Sequence, residues 1–277
     1  MLRIGYHLSI AGSLDLAFDR GAAIGCTAMQ IFVSNPRGWE VKEPIATVVK
    51  DFREKREKLD ILPVCHMPYL PNLASTKEET YNKSILSLEK NLRICDELGI
   101  KYLITHLGSH LGKGKKVGLE SVVNALETVS KSLGGVTILL ENQAGHANSI
   151  GARLEDLAEI HGGSSLAKNG RLGFCLDTCH LFAAGYDIRT EKAWDEIDRT
   201  LGLEKVHALH MNDAKFELGS GRDRHDNIGR GFVGEKGFAV MMKNKKITSK
   251  ILILETPPNP ELAEGEEMDL LRSLYGQ

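Results

Sequence analysis

The sequence predicts a (β/α)8 barrel, a TIM barrel with its functional site at the C-terminal ends of the strands, on three observations. Short apolar, β-rich runs alternate with longer amphipathic ones through eight cycles. The length, 277 residues, fits the ~250 typical of that architecture. Successive runs also end on polar residues of related chemistry. A doubly wound open sheet is the alternative, and eight evenly spaced units favour closure.

In chain order, LRIGY (2–6) and AMQIFV (28–33) are the first two strands, the second leading into the loop SNPRGW (34–39). LPVCH (62–66) ends on His66, YLITH (102–106) on His106, VTILLE (136–141) on Glu141 and LGFCLD (172–177) on Asp177. VHALHM (206–211) carries His210 near its end, and ILILE (251–255) ends on Glu255. Between strands, Ile85, Leu88, Leu92 and Cys95 recur at helical spacing, and Thr76 with Glu79 has the form of a capping box for that helix. A Gly-rich turn leads into a helix expected over 235–245. No linker, low-complexity tract or charge block divides the chain, so residues 1–277 are read as a single domain.

Composition narrows the class. At 42% hydrophobic and 26% charged, the chain can bury a substantial core. No apolar stretch is long enough to span a bilayer and the N-terminus lacks a signal-peptide pattern, which places the protein in the cytoplasm with no membrane partner. The five cysteines form no CxxC pair, and Cys26, Cys65 and Cys175 lie in or beside apolar runs, as reduced core thiols do. Cys179 beside His180 is only a weak ligand candidate. A formal net charge of −2 gives no sign of a nucleic-acid partner until bound cations are counted.

The strand ends supply those cations' ligands. His66, His106, His210, Glu141, Asp177 and Glu255 make a nitrogen and oxygen site suited to Zn²⁺ or Mn²⁺. One metal cannot use all six, so two or more ions with a bridging carboxylate are expected. Alternation puts Val206, Ala208 and His210 on one face and His207 on the other, which assigns the ligand role to His210. GRDRHDN (221–227) adds Asp223 and His225, and His180 lies just beyond the sixth strand. These three could close a third site, or Arg222 and Arg224 could pair with the carboxylates of a solvated loop. His7, His110, His146 and His161 are given structural roles, with His7 and His110 each following a strand. Gly229, Gly231 and Gly234 match GxGxxG but follow a polar loop, so the dinucleotide fingerprint lacks its context, although the backbone amides could face a phosphate.

Clustered Zn²⁺ suits hydrolysis of a phosphodiester. Three such ions would outweigh the formal charge of −2 and concentrate positive potential at the barrel mouth, drawing a polyanion without a basic chain. Arg37 and Trp39 in SNPRGW, and Tyr69 and Leu70 in MPYLPNLA (67–74), are groups able to wedge into a base stack unless they pack under their own loops.

The segments HMPYLPNLA, HLGSH, LENQAG, LDTCHLFAAGYDIRT, HMNDAKFELGSGRDRHDNIGRGFVG and LILET resemble, in order and along essentially the whole chain, the signature segments of the endonuclease IV family of apurinic/apyrimidinic endonucleases. The resemblance implies a first zinc on His66, His106 and Glu141, with Glu141 bridging to a second on Asp177, His210 and Glu255, and a third on His180, Asp223 and His225. Mn²⁺ is admissible at one position. It further implies cleavage 5′ to abasic sites in double-stranded DNA, leaving a 3′-hydroxyl and a 5′-deoxyribose phosphate. Glu141 would orient the attacking hydroxide, and a 3′-end-cleaning phosphodiesterase activity would accompany incision. Arg37, Tyr69 and Leu70 would bend the duplex and flip the lesion out, with Gly38 where family members often carry a larger polar residue. A monomer suffices for this. The rivals are a two-metal TIM-barrel sugar isomerase or epimerase, which would not need His180, Asp223 and His225, and a non-catalytic module that recognises damaged DNA.

Overall fold

A computed structural model describes residues 2–275. The strands are β1 (Arg3–Tyr6), β2 (Ala28–Ile31), β3 (Leu62–His66), β4 (Tyr102–Thr105), β5 (Thr137–Glu141), β6 (Leu172–Asp177), β7 (Val206–His210), β8 (Asp213–Ala214), β9 (His225–Asp226) and β10 (Ile251–Leu254). Eight of them form one sheet in the order β1-β10-β7-β6-β5-β4-β3-β2, while β8 and β9 pair as a separate antiparallel ribbon. The two sheet edges meet. Thr27 donates its N–H to the Ile4 carbonyl at 2.8 Å and Leu8 to the Gln30 carbonyl at 2.8 Å, and a parallel bridge joins His7 to Gln30. A Cβ at Gly5 would fall 1.7 Å from the Ala28 carbonyl oxygen, so only glycine lets this seam close. All eight expected strands are present in a nearly closed barrel. Phe32, Val33, His106, Met211 and Glu255 fall just past the ladders.

Helices Leu16–Ala23, Ala46–Leu59, Glu78–Leu98, Lys115–Val129, Leu154–Gly163, Glu191–Leu201, Gly234–Lys243 and Glu266–Tyr275 follow successive barrel strands. The expected capping box is not formed. The helix begins at Glu78 behind Lys77, without a side-chain cap, because the Ser75 hydroxyl takes the Lys77 N–H at 3.1 Å and makes the turn one residue earlier. The expected periodicity holds, with Leu88, Leu92 and Cys95 buried and Ile85 packed beside them. The helix expected over 235–245 ends at Lys243, and a further turn spans Lys245–Thr248.

Parallel strands buried on both faces need two apolar layers. The outer layer joins strands to helices. The inner one fills the barrel with Ala28, Val64, Ile104, Leu139, Cys175, Ala208, Ile251 and Ile253. The register between β6 and β7 skips a residue, pairing Phe174 with Val206 but Cys175 with Ala208. This β-bulge corrects the alternation expected for β7: Val206 joins the outer layer, while Ala208 stays inside and His210 keeps its inward aim. His207 stacks on Tyr102 at 5.0 Å between ring centroids, near the N-terminal ends of the strands and away from the rim.

The Gly-rich turn also differs from expectation. The buried Asp213 carboxylate accepts N–H groups from Ala214 (2.8 Å), Gly229 (3.0 Å), Val233 (2.9 Å) and Gly234 (3.1 Å). Those amides are therefore committed internally and do not face a phosphate. A Cβ at Gly231 would lie 2.5 Å from Asp213 Oδ1, which is why that position is glycine.

Candidate metal centre

Side chains two residues apart share a face of a strand, so the residue two positions beyond the inner layer points into the mouth of the barrel. His66 follows Val64 in this way, His106 follows Ile104, Glu141 follows Leu139, Asp177 follows Cys175, His210 follows Ala208 and Glu255 follows Ile253. The remaining two strands extend the pattern, with His7 after Gly5 and Gln30 after Ala28. The result is one inward polar residue per strand.

Glu141, fully buried, stands at the junction of two groups. Its Oε2 lies 2.9 Å from His66 Nε2 and 2.9 Å from His106 Nε2. Its Oε1 lies 2.9 Å from His210 Nδ1, which is 3.3 Å from Glu255 Oε2 and 3.8 Å from Asp177 Oδ2. Within each set, His66–His106–Glu141 and Glu141–Asp177–His210–Glu255, the candidate ligand atoms all fall within 4.8 Å of one another.

The loop residues close a third group. His180 Nε2 is 3.2 Å from Asp223 Oδ1, and His225 Nε2 is 3.5 Å from both Asp223 Oδ1 and Asp177 Oδ2. The β8–β9 ribbon brings Asp223 and His225 back over the rim. Asp177 also caps the short helix Thr178–Ala183, its Oδ1 accepting the His180 N–H at 2.9 Å, so one carboxylate both starts that helix and sets His180. Arg224 donates to the backbone carbonyl of Asp223 at 2.7 Å and Arg222 stacks on Phe216 at 4.2 Å, so neither neutralises the carboxylate. Cys179 lies near Asp223 and His225, but burial and the Asp177 charge push its thiol well above its usual range, disfavouring the thiolate.

Hydrogen bonds establish which imidazole nitrogen is free. His66 Nδ1 donates to the Met67 carbonyl (2.6 Å), His180 Nδ1 to the Asn142 carbonyl (2.9 Å) and His225 Nδ1 to the Glu255 carbonyl (3.2 Å). The other nitrogen of each ring faces a carboxylate, and His225 Nε2 is buried without a hydrogen-bond partner. A bare nitrogen and a carboxylate oxygen repel unless a cation lies between them. Among the described residues, no Lys or Arg lies within 4 Å of the Glu141, Asp177, Asp223 or Glu255 carboxylates. Protons or metal ions must fill that role, and the donor set fits Zn²⁺.

In the metal-free chain a proton fills it at His180. Burial works against charge on His180, but Asp177 and Asp223 outweigh it and raise the pKa to about 10. Burial likewise opposes the Asp223 carboxylate, and the His180 contact brings it down to about 2. Glu141 is held well below the usual carboxylate range because His106 and His210 overcome its desolvation. Burial dominates at His66 and lowers its pKa.

Several polar residues of the site went unread in the sequence. Asn142 Oδ1 accepts the Asp177 N–H at 2.7 Å, and Asn212 Nδ2 donates to Asp177 Oδ2 at 2.7 Å while its Oδ1 accepts the Glu255 N–H at 2.8 Å. Gln30 is fully buried, and His7, given a structural role from the sequence, instead borders the site, its Nδ1 3.0 Å from Glu255 Oε1. A glutamine in the middle of an apolar strand and asparagines directly after Glu141 and near His210 were the available signals. His110 accepts the Gly114 N–H within its own turn, His161 packs on Phe174 at 5.1 Å and His146 is exposed.

The two loops over the rim are joined, with the Tyr69 N–H donating to the Pro36 carbonyl at 3.2 Å. Arg37, Trp39, Tyr69 and Leu70 are exposed and do not pack beneath their loops, although the Tyr69 ring rests edge-on against Phe32 at 5.4 Å. No helix among the described residues is long and apolar enough to cross a membrane.

Fold and rim together define a xylose isomerase-like TIM barrel, and the family profile of that description matches residues 18–274. A protein of Nitrosopumilus maritimus named "Probable endonuclease 4" is 45% identical, covering 96% of this chain and 98% of its own. The crystal structure of endonuclease IV from Thermus thermophilus superposes with a TM-score of 0.84 at 35% identity, covering 99% of this chain and 98% of the other. A D-tagatose 3-epimerase-like protein superposes at a TM-score of 0.75 with 19% identity, covering 99% and 97% of the two chains, a likeness of fold alone. The chain belongs to the endonuclease IV family.

Proposed function

We propose that this protein is a DNA-repair endonuclease that hydrolyses the phosphodiester 5′ to abasic sites in double-stranded DNA, leaving a 3′-hydroxyl and a 5′-deoxyribose phosphate. We assign it three Zn²⁺ ions, with Mn²⁺ admissible at one position, an accompanying 3′-end-cleaning phosphodiesterase activity, and action as a single-domain cytoplasmic monomer. The observation that carries the reading is Glu141, whose two oxygens face separate ligand groups, next to a third group on His180, Asp223 and His225. A two-metal sugar isomerase has no use for the third group.

His66, His106 and Glu141 would hold the first ion, Glu141, Asp177, His210 and Glu255 the second, and His180, Asp223 and His225 the third. Bound there, zinc supplies activation of water at neutral pH and positive charge for the phosphate oxygens. Glu141 spans the first two positions with both oxygens engaged, so it orients the nucleophile and does not carry protons. Tyr69 and Leu70, beside His66, enter the duplex at the lesion, and Arg37 contacts the backbone phosphates. The linkage of the two loops through Tyr69 and Pro36 supports their acting as one wedge.

The test is an end-labelled duplex with one abasic site, an undamaged control and a chelator-stripped sample. Incision 5′ to the lesion with a 3′-hydroxyl, restored by Zn²⁺, is the expected result. No incision by a folded, metal-replete sample would falsify the reading.

A further inference from the structure

We propose that Gln30 is a positioning residue for the second ligand group, fixing the tautomer of His210 and the orientation of Glu255; this deepens the three-ion reading and rests on it. Gln30 belongs to β2, whose neighbours in the barrel are β1 and β3, yet besides His7 just past β1 its side chain bonds groups on β7 and just past β10. It is fully buried, inward-facing, and sits in a strand otherwise made of apolar residues.

The chemistry of its partners leaves one orientation for the amide. Glu255 is a carboxylate and only accepts, so the NH2 of Gln30 must face it, and Nε2 lies 2.6 Å from Glu255 Oε1. The amide oxygen then faces His210, with Oε1 at 2.8 Å from Nε2 of that ring. His210 must therefore carry its proton on Nε2, leaving Nδ1 bare toward Glu141 Oε1 at 2.9 Å and Glu255 Oε2 at 3.3 Å. The second N–H of the same amide faces His7 Nδ1 at 2.9 Å, which makes that nitrogen an acceptor, so its 3.0 Å approach to Glu255 Oε1 is not a donated bond. With Oε1 held by Gln30, Oε2 is the oxygen turned toward His210 Nδ1. A single amide thus prepares two ligands of one ion, and its bonds do not extend to His66, His106 or the third group.

Gln30→Met keeps an unbranched side chain of similar length and removes all three hydrogen bonds. Gln30→Glu keeps an acceptor for His210 but sets a carboxylate against Glu255. Zinc per chain would be counted by mass spectrometry after dialysis against graded chelator, with the visible spectrum of Co²⁺-substituted samples and the melting temperature of the metal-free proteins recorded in parallel. Both variants are expected to release one ion at ~10–100-fold lower chelator strength and keep the others. The Co²⁺ bands of that site should change, the metal-free melting temperature should stay near that of the parent, and incision should fall in kcat more than in KM. Retention of every ion at parental affinity by Gln30→Met overturns the assignment. So does uniform weakening of all ions together with a lower metal-free melting temperature, because that is the behaviour of a packing residue. A parental chain that holds only two ions would strike at the three-ion reading, whereas selective loss in the variants would still uphold Gln30.

Discussion

Asp213→Ala should be among the most destabilising single changes outside the ligand positions. The carboxylate gathers N–H groups from Ala214, Gly229, Val233 and Gly234 at 2.8–3.1 Å. Each bond to a charged acceptor contributes ~1.5–3 kcal/mol, but the values do not add when one group serves several donors. Solvent can reach Gly229 and Gly234 once the loop loosens, whereas Ala214 and Val233 are buried and would be left as orphaned donors. Two buried orphans at roughly 1.5–2 kcal/mol each give a loss of ~3–4 kcal/mol for Asp213→Ala. Asp213→Asn keeps one oxygen, which can stay on Ala214 and Val233 while the amide turns toward the two glycines. The loss of charge weakens the kept bonds and the NH2 opposes the Gly229 and Gly234 N–H groups, so a smaller loss of ~1.5–2 kcal/mol should follow. Urea unfolding of metal-free protein measures both, and hydrogen exchange at 229–234 locates the opening. Equal losses for the two variants, or a loss below ~0.5 kcal/mol for Asp213→Ala, would refute the reasoning. The change should also reach the site, since the β8–β9 ribbon pairs Asp213 with Asp226, one residue beyond His225.

Glu141→Gln should lower incision by at least ~10²-fold and weaken two ions together, which titration with a chelator would reveal; loss of a single ion would argue against the shared carboxylate. Cys179→Ala should leave the ion count unchanged, and a missing third ion would show that the thiol serves as a ligand. In metal-free protein, the stabilisation from charged His180 is complete below its ordinary pKa of 6.5 and disappears as pH rises through about 10. That from Asp223 is complete above 3.8 and disappears as pH falls through about 2. Thermal melts should therefore decline on the alkaline side, and His180→Gln should flatten that limb; the same slope in both proteins would count against the assignment. Gly38→Gln should fold normally, because a Cβ there would lie 3.5 Å from the side chain of Asn35 and the backbone is not left-handed. It should tighten binding to an abasic duplex, read by fluorescence anisotropy.

The barrel and the ligands were legible because both follow from alternation along strands. The apolar period revealed the elements, and a polar residue at or near the end of six successive runs revealed the mouth of the barrel. Spacing alone left His180, Asp223 and His225 undecided, because their meeting depends on Asp177 capping a short helix and on the β8–β9 ribbon. The bulge in β7 was invisible for a related reason: it is a property of pairing between strands, and Val206 reads identically in or out of register. Gln30 was passed over because a single amide in an apolar run resembles an ordinary interruption until its partners on other strands are known. The Asp213 cluster was hidden for the same cause, since its donors lie up to 21 residues away.

One inward polar residue per strand, standing on an aliphatic layer, divides the barrel into a part that folds and a part that can be rewritten. Exchanging a ring residue leaves the layer of Val64, Ile104, Leu139 and Ile253 beneath it in place, so eight codons, together with the three of the loop group, set the chemistry with limited bearing on that layer. Position is a different matter. In a sheet joined edge to edge, a strand cannot slip by one residue without turning its ligand outward toward the helices and breaking the seam. The identity of the ring can therefore drift strand by strand, while its geometry is inherited whole.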